Sequence, residues 1–200
     1  MGGRAAPRVA VVGHVEWLDL AVVDHLPQPG EIVTAREHLA VPGGGGAVAA
    51  VQLRKLAGAA LFLTAVGDDA LGARSVAQLR DAHGLEVHAA VRPRATRRAF
   101  THVDGSAERT ITVLGERLVP SGADPLPWAR LDGADAVYYT GGDAAAARAA
   151  RRARVLVAAA RAPEGLLAAG VVPDVVVASE RDAKERAGVA ALGDGPRWTV

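Results

Sequence analysis

Carboxylates and glycines are the side chains in this sequence whose types and spacing could hold a small polar molecule. Glu16 and Asp19 follow a short apolar run, Val9 to Val12, that stops at Gly13. Further along, Pro42 introduces four consecutive glycines, Gly43 to Gly46, which open a helical stretch. A carboxylate offers several acceptor sites to neighbouring O–H donors. Glycines let a ligand approach the backbone amides closely. Acceptors from one and donors from the other are what a vicinal diol requires. The same residues have a plainer reading as an exposed loop carboxylate and a helix-entry loop. Ser179 and Asp182 form a second set. Asp182 could hold a metal-bound water, and the pattern equally fits a helix start capped by Ser179. Asp68 and Asp69 look like a paired acid but sit between an apolar run and a helical pattern, where a cap is expected. The six histidines show no metal-ligand spacing, and His83 and His88 read as surface residues beside a turn.

The elements that must position these groups alternate along the chain. Val9 to Val12, Leu61 to Val66, Ala136 to Tyr139, Val155 to Ala158 and Val175 to Val177 are short apolar runs of the kind that form buried parallel strands. Arg197 to Val200 opens another. Helical patterns lie between them. One runs from Ala47 to Ala57, with Val51, Leu53 and Leu56 on or near one face and Gly58 as its stop. Another runs from Ala70 to His83, capped by Asp68 or Asp69 and ended by Gly84. Asp143 caps a third, and residues 181–192 make a fourth. This rhythm predicts an open α/β sheet. Two segments break it. Residues 99–103 and 110–114 alternate or are β-branched, and Asp104-Gly105 between them is a hairpin signal. With the extended stretch from Leu20 to Val41 they predict a small β element attached to the core, with strands within residues 20–42 and 98–115.

Bulk properties narrow the function classes. The 200 residues carry a formal net charge of +1 and no clustered basic face, which argues against a nucleic-acid partner. The absence of cysteine excludes disulfides, thiolate catalysis and Cys-ligated zinc. No run of eighteen apolar residues exists, so no membrane partner is expected, and a cytoplasmic location fits. The glycine cluster lacks the spacing of a dinucleotide fingerprint, and no GxxxxGK[ST] phosphate loop occurs.

Several motifs occur together and in order: Gly13-His14-Val15-Glu16-Trp17-Leu18-Asp19, Leu26-Pro27-Gln28-Pro29-Gly30-Glu31, Pro42-Gly43-Gly44-Gly45-Gly46-Ala47, Val66-Gly67-Asp68-Asp69, Glu108-Arg109-Thr110-Ile111 and the segment from Asp174 to Asp182. This succession resembles the ribokinase-like (PfkB) carbohydrate kinases along the whole chain, as the N-terminal two-thirds of such a protein. The resemblance implies a doubly wound, mostly parallel sheet with helices on both faces and a β lid over a sugar. It implies ATP and Mg²⁺ as cofactors, a sugar, nucleoside or related polyol as substrate, and phosphoryl transfer to a hydroxymethyl group. A homodimer through the lid is a further expectation. By this carry-over the substrate is bound by Glu16, Asp19, Gly43, Gly44, Gly45 and Phe100, and Asp182 with Ser179 lies near the metal. The family's first-strand Asp stands five residues after the glycine, but Asp19 stands six after Gly13. A one-residue slip reverses the face of a strand, so Glu16 can share or replace the role. Val48 stands where the family has an Asn and cannot bond a hydroxyl, which points to an acceptor other than ordinary ribose or fructose.

The family's catalytic Asp belongs to a Gly-x-Gly-Asp turn downstream of the Ser179 region, and no such turn follows here. Thr140-Gly141-Gly142-Asp143 resembles it superficially but comes too early in the chain. The expectation is therefore an incomplete domain with no catalytic residue, inactive as given. The alternative is a non-catalytic short form that binds a small polyol, a nucleoside or a protein partner.

Overall fold

The computed structural model describes residues 6–200. In chain order its elements are β1 (Val9–Val12), β2 (Glu16–Val22), β3 (Glu37–Gly43), α1 (Gly44–Ala57), β4 (Leu61–Gly67), α2 (Ala70–Asp81), β5 (Glu86–Arg92), β6 (Arg98–Val103) and β7 (Arg109–Leu114). A 3₁₀ turn at Trp128–Leu131 precedes β8 (Ala136–Tyr139), α3 (Ala144–Ala150), β9 (Val155–Ala159), α4 (Glu164–Ala169), β10 (Val175–Val177), α5 (Ala183–Leu192) and β11 (Trp198–Thr199).

The apolar runs form a seven-stranded parallel sheet in the order β11-β10-β9-β8-β1-β4-β5. Such strands are covered on both faces, which is why they read as continuous apolar segments. Val11, Phe62 and Val87 pack with Ala47 and Ala50 of α1 and Leu79 of α2. Ala10, Val12, Val137 and Leu156 pack on the other face with Ala146, Ala147 and Ala150 of α3 and Leu166 of α4. From β1 the chain builds toward β4 in one direction and toward β8 in the other, so the winding reverses between β1 and β8. Open α/β sheets bind ligands at the carboxyl ends of the strands flanking such a reversal.

The four remaining strands form a second sheet in the order β3-β2-β6-β7, with β2 and β6 parallel and the outer pairs antiparallel. This sheet begins at Glu16, four residues before the expected Leu20, because β2 follows β1 after only Gly13, His14 and Val15. The β6–β7 connection is also longer than the Asp104-Gly105 signal suggests. It spans residues 104–108, with Asp104 accepting from Ser106 N and Oγ, and the left-handed conformation falls on Ala107 (φ 63°) rather than on Gly105.

Helix α1 departs from the sequence reading in two ways. It starts at Gly44 rather than Ala47, and its buried residues are Gly46, Ala47 and Ala50. Val51 and Leu53 are half-buried, while Leu56 is 83% exposed. The helix meets the sheet so closely at its first turns that small residues, not large ones, mark its inner face. The strand β5 and the helix α4 had no counterpart in that reading.

Asp69, not Asp68, caps α2, accepting from Gly72 N at 2.8 Å. It also accepts from Thr96 N (2.7 Å) and Thr96 Oγ1 (2.6 Å), tying the helix start to the entry of β6. Burial opposes its ionisation, but these bonds outweigh it and hold the carboxyl below its ordinary range. Asp69→Ala is expected to lower stability by about 2–3 kcal/mol, a lost cap plus orphaned donors, as measured by urea unfolding.

Candidate active site

At the point where the winding reverses, Gly13 and His14 leave β1 beside Thr140, which leaves β8. Thr140 N donates to Val12 O at 2.8 Å, and Gly13 lies directly against the Thr140 side chain. The first turn of α1 approaches from above. A side chain on Gly44 would meet His14 and Glu16 at 3.0 and 3.2 Å, and one on Gly45 would meet His14 at 3.6 Å and Thr140 at 3.9 Å. Gly44 itself has φ +83°. The space at the start of α1 is therefore bordered by the His14 ring, the Cβ and Cγ2 of Thr140 and the Glu16 side chain, while Thr140 Oγ1 faces Gly13. No side chain caps α1, so its first amides keep free donors beside that space.

Several polar atoms of these residues lack a partner. His14 is 7% exposed and Thr140 is 3% exposed, and neither His14 Nδ1 nor Thr140 Oγ1 has a hydrogen-bond partner among the described residues. Buried polar groups in native proteins are nearly always paired, so these unpaired ones stand out. Glu16 is ion-paired with Arg97, Oε2 to Nε at 2.8 Å, with both side chains largely buried. The two atoms attract but are not aligned for a hydrogen bond, and both lack a partner. Arg117 lies close enough to feel Arg97, Glu16 and Glu164. Burial, then the charges of Arg117 and Arg97, push the His14 imidazole down to about 3, so it is neutral at physiological pH.

The site candidates read from the sequence separate here. Glu16 and Gly44 to Gly45 come together. Gly43 ends β3 where an added Cβ would meet the Leu18 side chain at 3.1 Å, on the same face of the lid as Glu16. Asp19 lies three residues after Glu16 on one strand and so points to the opposite face. There it is ion-paired with Arg98 (2.9 Å) and lies 3.7 Å from His38 Nε2. Phe100 is the direct β6 neighbour of Asp19, shares that face, and packs edge-on against His102. Trp17, also on that face, is buried under Arg74 of α2. Asp19 and Phe100 are thus not brought to the space around His14. Val48 is exposed on α1. His14, Arg97, Arg117 and Thr140 were not singled out by sequence reasoning. The sequence held only one hint, that Gly13 and Thr140-Gly141 each end an apolar strand.

Asp143 is a helix cap. Its carboxylate accepts from Ser121 Oγ, Gly122 N (3.0 Å) and Ala146 N (2.8 Å), and these bonds override burial to keep it ionised. Asp182 caps α5, accepting from Lys184 N and Glu185 N, and its other oxygen meets Arg161. Ser179 N donates to Glu185. With both oxygens of Asp182 engaged, and no group of three His, Asp or Glu side chains among the described residues, this set does not fit a metal ion. A cleft of about 240 Å³ near Ala59, Glu86 and Arg130 lies at the opposite end of the strands, away from His14 and Glu16.

The model of the pfkB family carbohydrate kinases matches residues 6–193. The chain belongs to the pfkB carbohydrate kinase family. Solved structures resemble it over most of its length. Ribokinase from Thermotoga maritima has a TM-score of 0.65 at 21% identity over 86% of this chain and 59% of its own. Ribokinase from Giardia lamblia has 0.69 at 17% identity over 98% and 68%. Arabidopsis thaliana ribokinase, solved with ribose and ATP, has 0.65 at 18% identity over 96% and 70%. This pfkB-family chain therefore spans about 59–70% of the length of those proteins. No curated protein matches it. At such identities the structures share its fold, a parallel sheet with a β lid. Among the described residues no helix is long and apolar enough to cross a membrane.

Proposed function

We propose that the space between Glu16, His14, Thr140 and the glycines of α1 is the acceptor site of an ATP-dependent kinase that phosphorylates a hydroxymethyl group of a sugar, nucleoside or related polyol. The observation that carries this reading is the uncapped start of α1 packed against His14, Glu16 and Thr140 at the reversal between β1 and β8. Glu16 accepts from hydroxyls, the amides of Gly44 and Gly45 donate, and His14 and Thr140 complete the lining. The neutral imidazole presents one donor and one acceptor, as a hydroxyl pair does. The ribose in the Arabidopsis structure is consistent with a small polyol as ligand. Leu39, Ile111 and Val113 are exposed on the lid sheet and would form the surface of a homodimer.

No residue described here is assigned to ATP or Mg²⁺, since the chain has no phosphate loop and the carboxylate of Asp182 is engaged. The capped state of Asp143 favours a second reading of these 200 residues by themselves, binding without turnover. Calorimetric titration with a panel of sugars and nucleosides, run beside an ATP-consumption assay, tests both. Binding without ATP consumption is expected. Glu16→Gln should weaken the best ligand by about ten- to hundredfold, the loss of a charged acceptor. Asp19→Asn should change affinity less than about twofold, given its place on the opposite face. Equal effects of the two substitutions would sink the assignment of the site to the face of Glu16.

A further inference from the structure

Arg97 stands just before β6, where the chain passes from the core sheet into the lid for the second time. Its backbone is fixed on both sides. On one side lies Thr96, which is 4% exposed. Thr96 Oγ1 accepts from Gly67 N at 3.1 Å, and Thr96 donates to Asp69 of the α2 cap from N (2.7 Å) and Oγ1 (2.6 Å). On the other side Arg97 O accepts from Trp17 N of β2 at 2.9 Å. That bond sets Arg97 beside Glu16, the residue before Trp17. Their side chains meet at 2.8 Å and are only 17% and 15% exposed. The Glu16 side chain is thus confined at two points. A side chain on Gly44 would meet its Cγ at 3.2 Å, and its Oε2 lies against Arg97 Nε. Exposed ion pairs between long side chains contribute little. This one is largely desolvated, and its arginine is anchored through the backbone, so the attraction is stronger and less freedom is lost in keeping it. The contact does not exhaust the carboxylate, which has sites for several donors. Oε2 itself has no aligned hydrogen bond among the described residues.

Resting on the reading of this pocket as the acceptor site, we infer that Arg97 is a positioning residue, which holds the Glu16 carboxylate beside Gly44 in the orientation that accepts a ligand hydroxyl and acts only through Glu16. A free glutamate side chain would have to be ordered when the ligand binds, and that cost falls on affinity. With Arg97 in place the ordering is done when the protein folds. The same contacts tie lid to core, because Asp69 fixes Thr96, Thr96 leads into Arg97, and Arg97 fixes Glu16 at the entry to β2.

Calorimetry on the 200-residue protein with D-ribose, D-fructose, myo-inositol and adenosine tests this, using Arg97 variants made both with Glu16 and with Glu16→Gln. For the tightest of the four, Arg97→Gln should weaken binding at least about threefold while Glu16 is present, the cost of ordering one flexible side chain. In the Glu16→Gln background the same substitution should change affinity less than about 1.5-fold, since nothing remains for Arg97 to position. Arg97→Lys should retain part of the affinity when Glu16 is present and make no difference when it is absent. Urea midpoints establish that each variant is folded. If Arg97→Gln alone does not fold, Arg97→Lys supplies the comparison in both backgrounds. A purely structural Arg97 would weaken binding alike with and without Glu16, and so would an Arg97 that touches the ligand. Either result, or no loss in either background, overturns the inference and leaves the pocket standing as long as Glu16→Gln alone weakens binding. If Glu16→Gln has no effect, or none of the four binds, the acceptor reading falls and this inference with it.

Discussion

Gly46→Val is expected to destabilise the protein by about 3 kcal/mol or more, enough to leave much of it unfolded at 37 °C. A Cβ at Gly46 would stand 2.5 Å from His14 O, 3.0 Å from His14 N and 3.1 Å from the Phe62 ring. Two of these atoms are backbone just after β1, and the third is a fully buried aromatic, so none can move away cheaply. The helix would have to lift from the sheet and surrender the packing of Ala47 and Ala50. Gly45→Ala is the informative control. Its Cβ would meet only ordinary contacts with His14 and Thr140, so urea unfolding should match the unsubstituted protein within about 0.5 kcal/mol. The added methyl enters the proposed acceptor space, however, so binding should fall sharply. A Gly46→Val protein as stable as its parent would show that α1 does not dock on β1 as described.

The second large effect is a loss of stability in mild acid. In the unfolded chain His14 takes up a proton near pH 6.5, whereas in the folded protein burial and the charges of Arg117 and Arg97 push its pKa down to about 3. Between those values the unfolded state binds more protons, so stability rises with pH and falls as acid is added. From about pH 6.5 to about 4.5 this group alone should remove on the order of 2–3 kcal/mol. His25, whose pKa is raised by its hydrogen bond to Glu31, acts in the opposite sense but is fully exposed and weak. The carboxylates held below their usual range, such as Asp69 and Asp143, contribute only at lower pH. Urea midpoints across this range should therefore drop, and His14→Gln should flatten the drop. An unchanged midpoint down to pH 4.5 would mean that His14 is accessible to water.

How far the sequence reached depends on the range of the interaction concerned. Caps and stops act over three or four residues, so Asp143 and Gly58 marked their helix ends, and the pair Asp68-Asp69 bracketed the start of α2, where Asp69 is the cap. Continuous apolar runs marked the central strands because a strand covered on both faces tolerates no polar alternation. Helix α1 was harder. Its inner face is defined by how closely a backbone can approach, which selects glycine and alanine, and a search for large apolar residues picks out the wrong side.

By itself the sequence determined the alternation of strands and helices, the β6–β7 hairpin and the family, since local propensity and motif order carry all three. The tertiary structure decided which of the candidate residues come together. Which lid face Glu16 and Asp19 share with their neighbours depends on the register of β2 against β3 and β6, and a single step along a strand turns a side chain from one face to the other. His14, Arg97, Arg117 and Thr140 come from four separate stretches of chain and share no spacing that a linear reading could detect. Only the reversal between β1 and β8 brings His14 beside Thr140, and only the lid sheet brings Arg97 to Glu16, where burial makes their unpaired atoms costly and therefore informative.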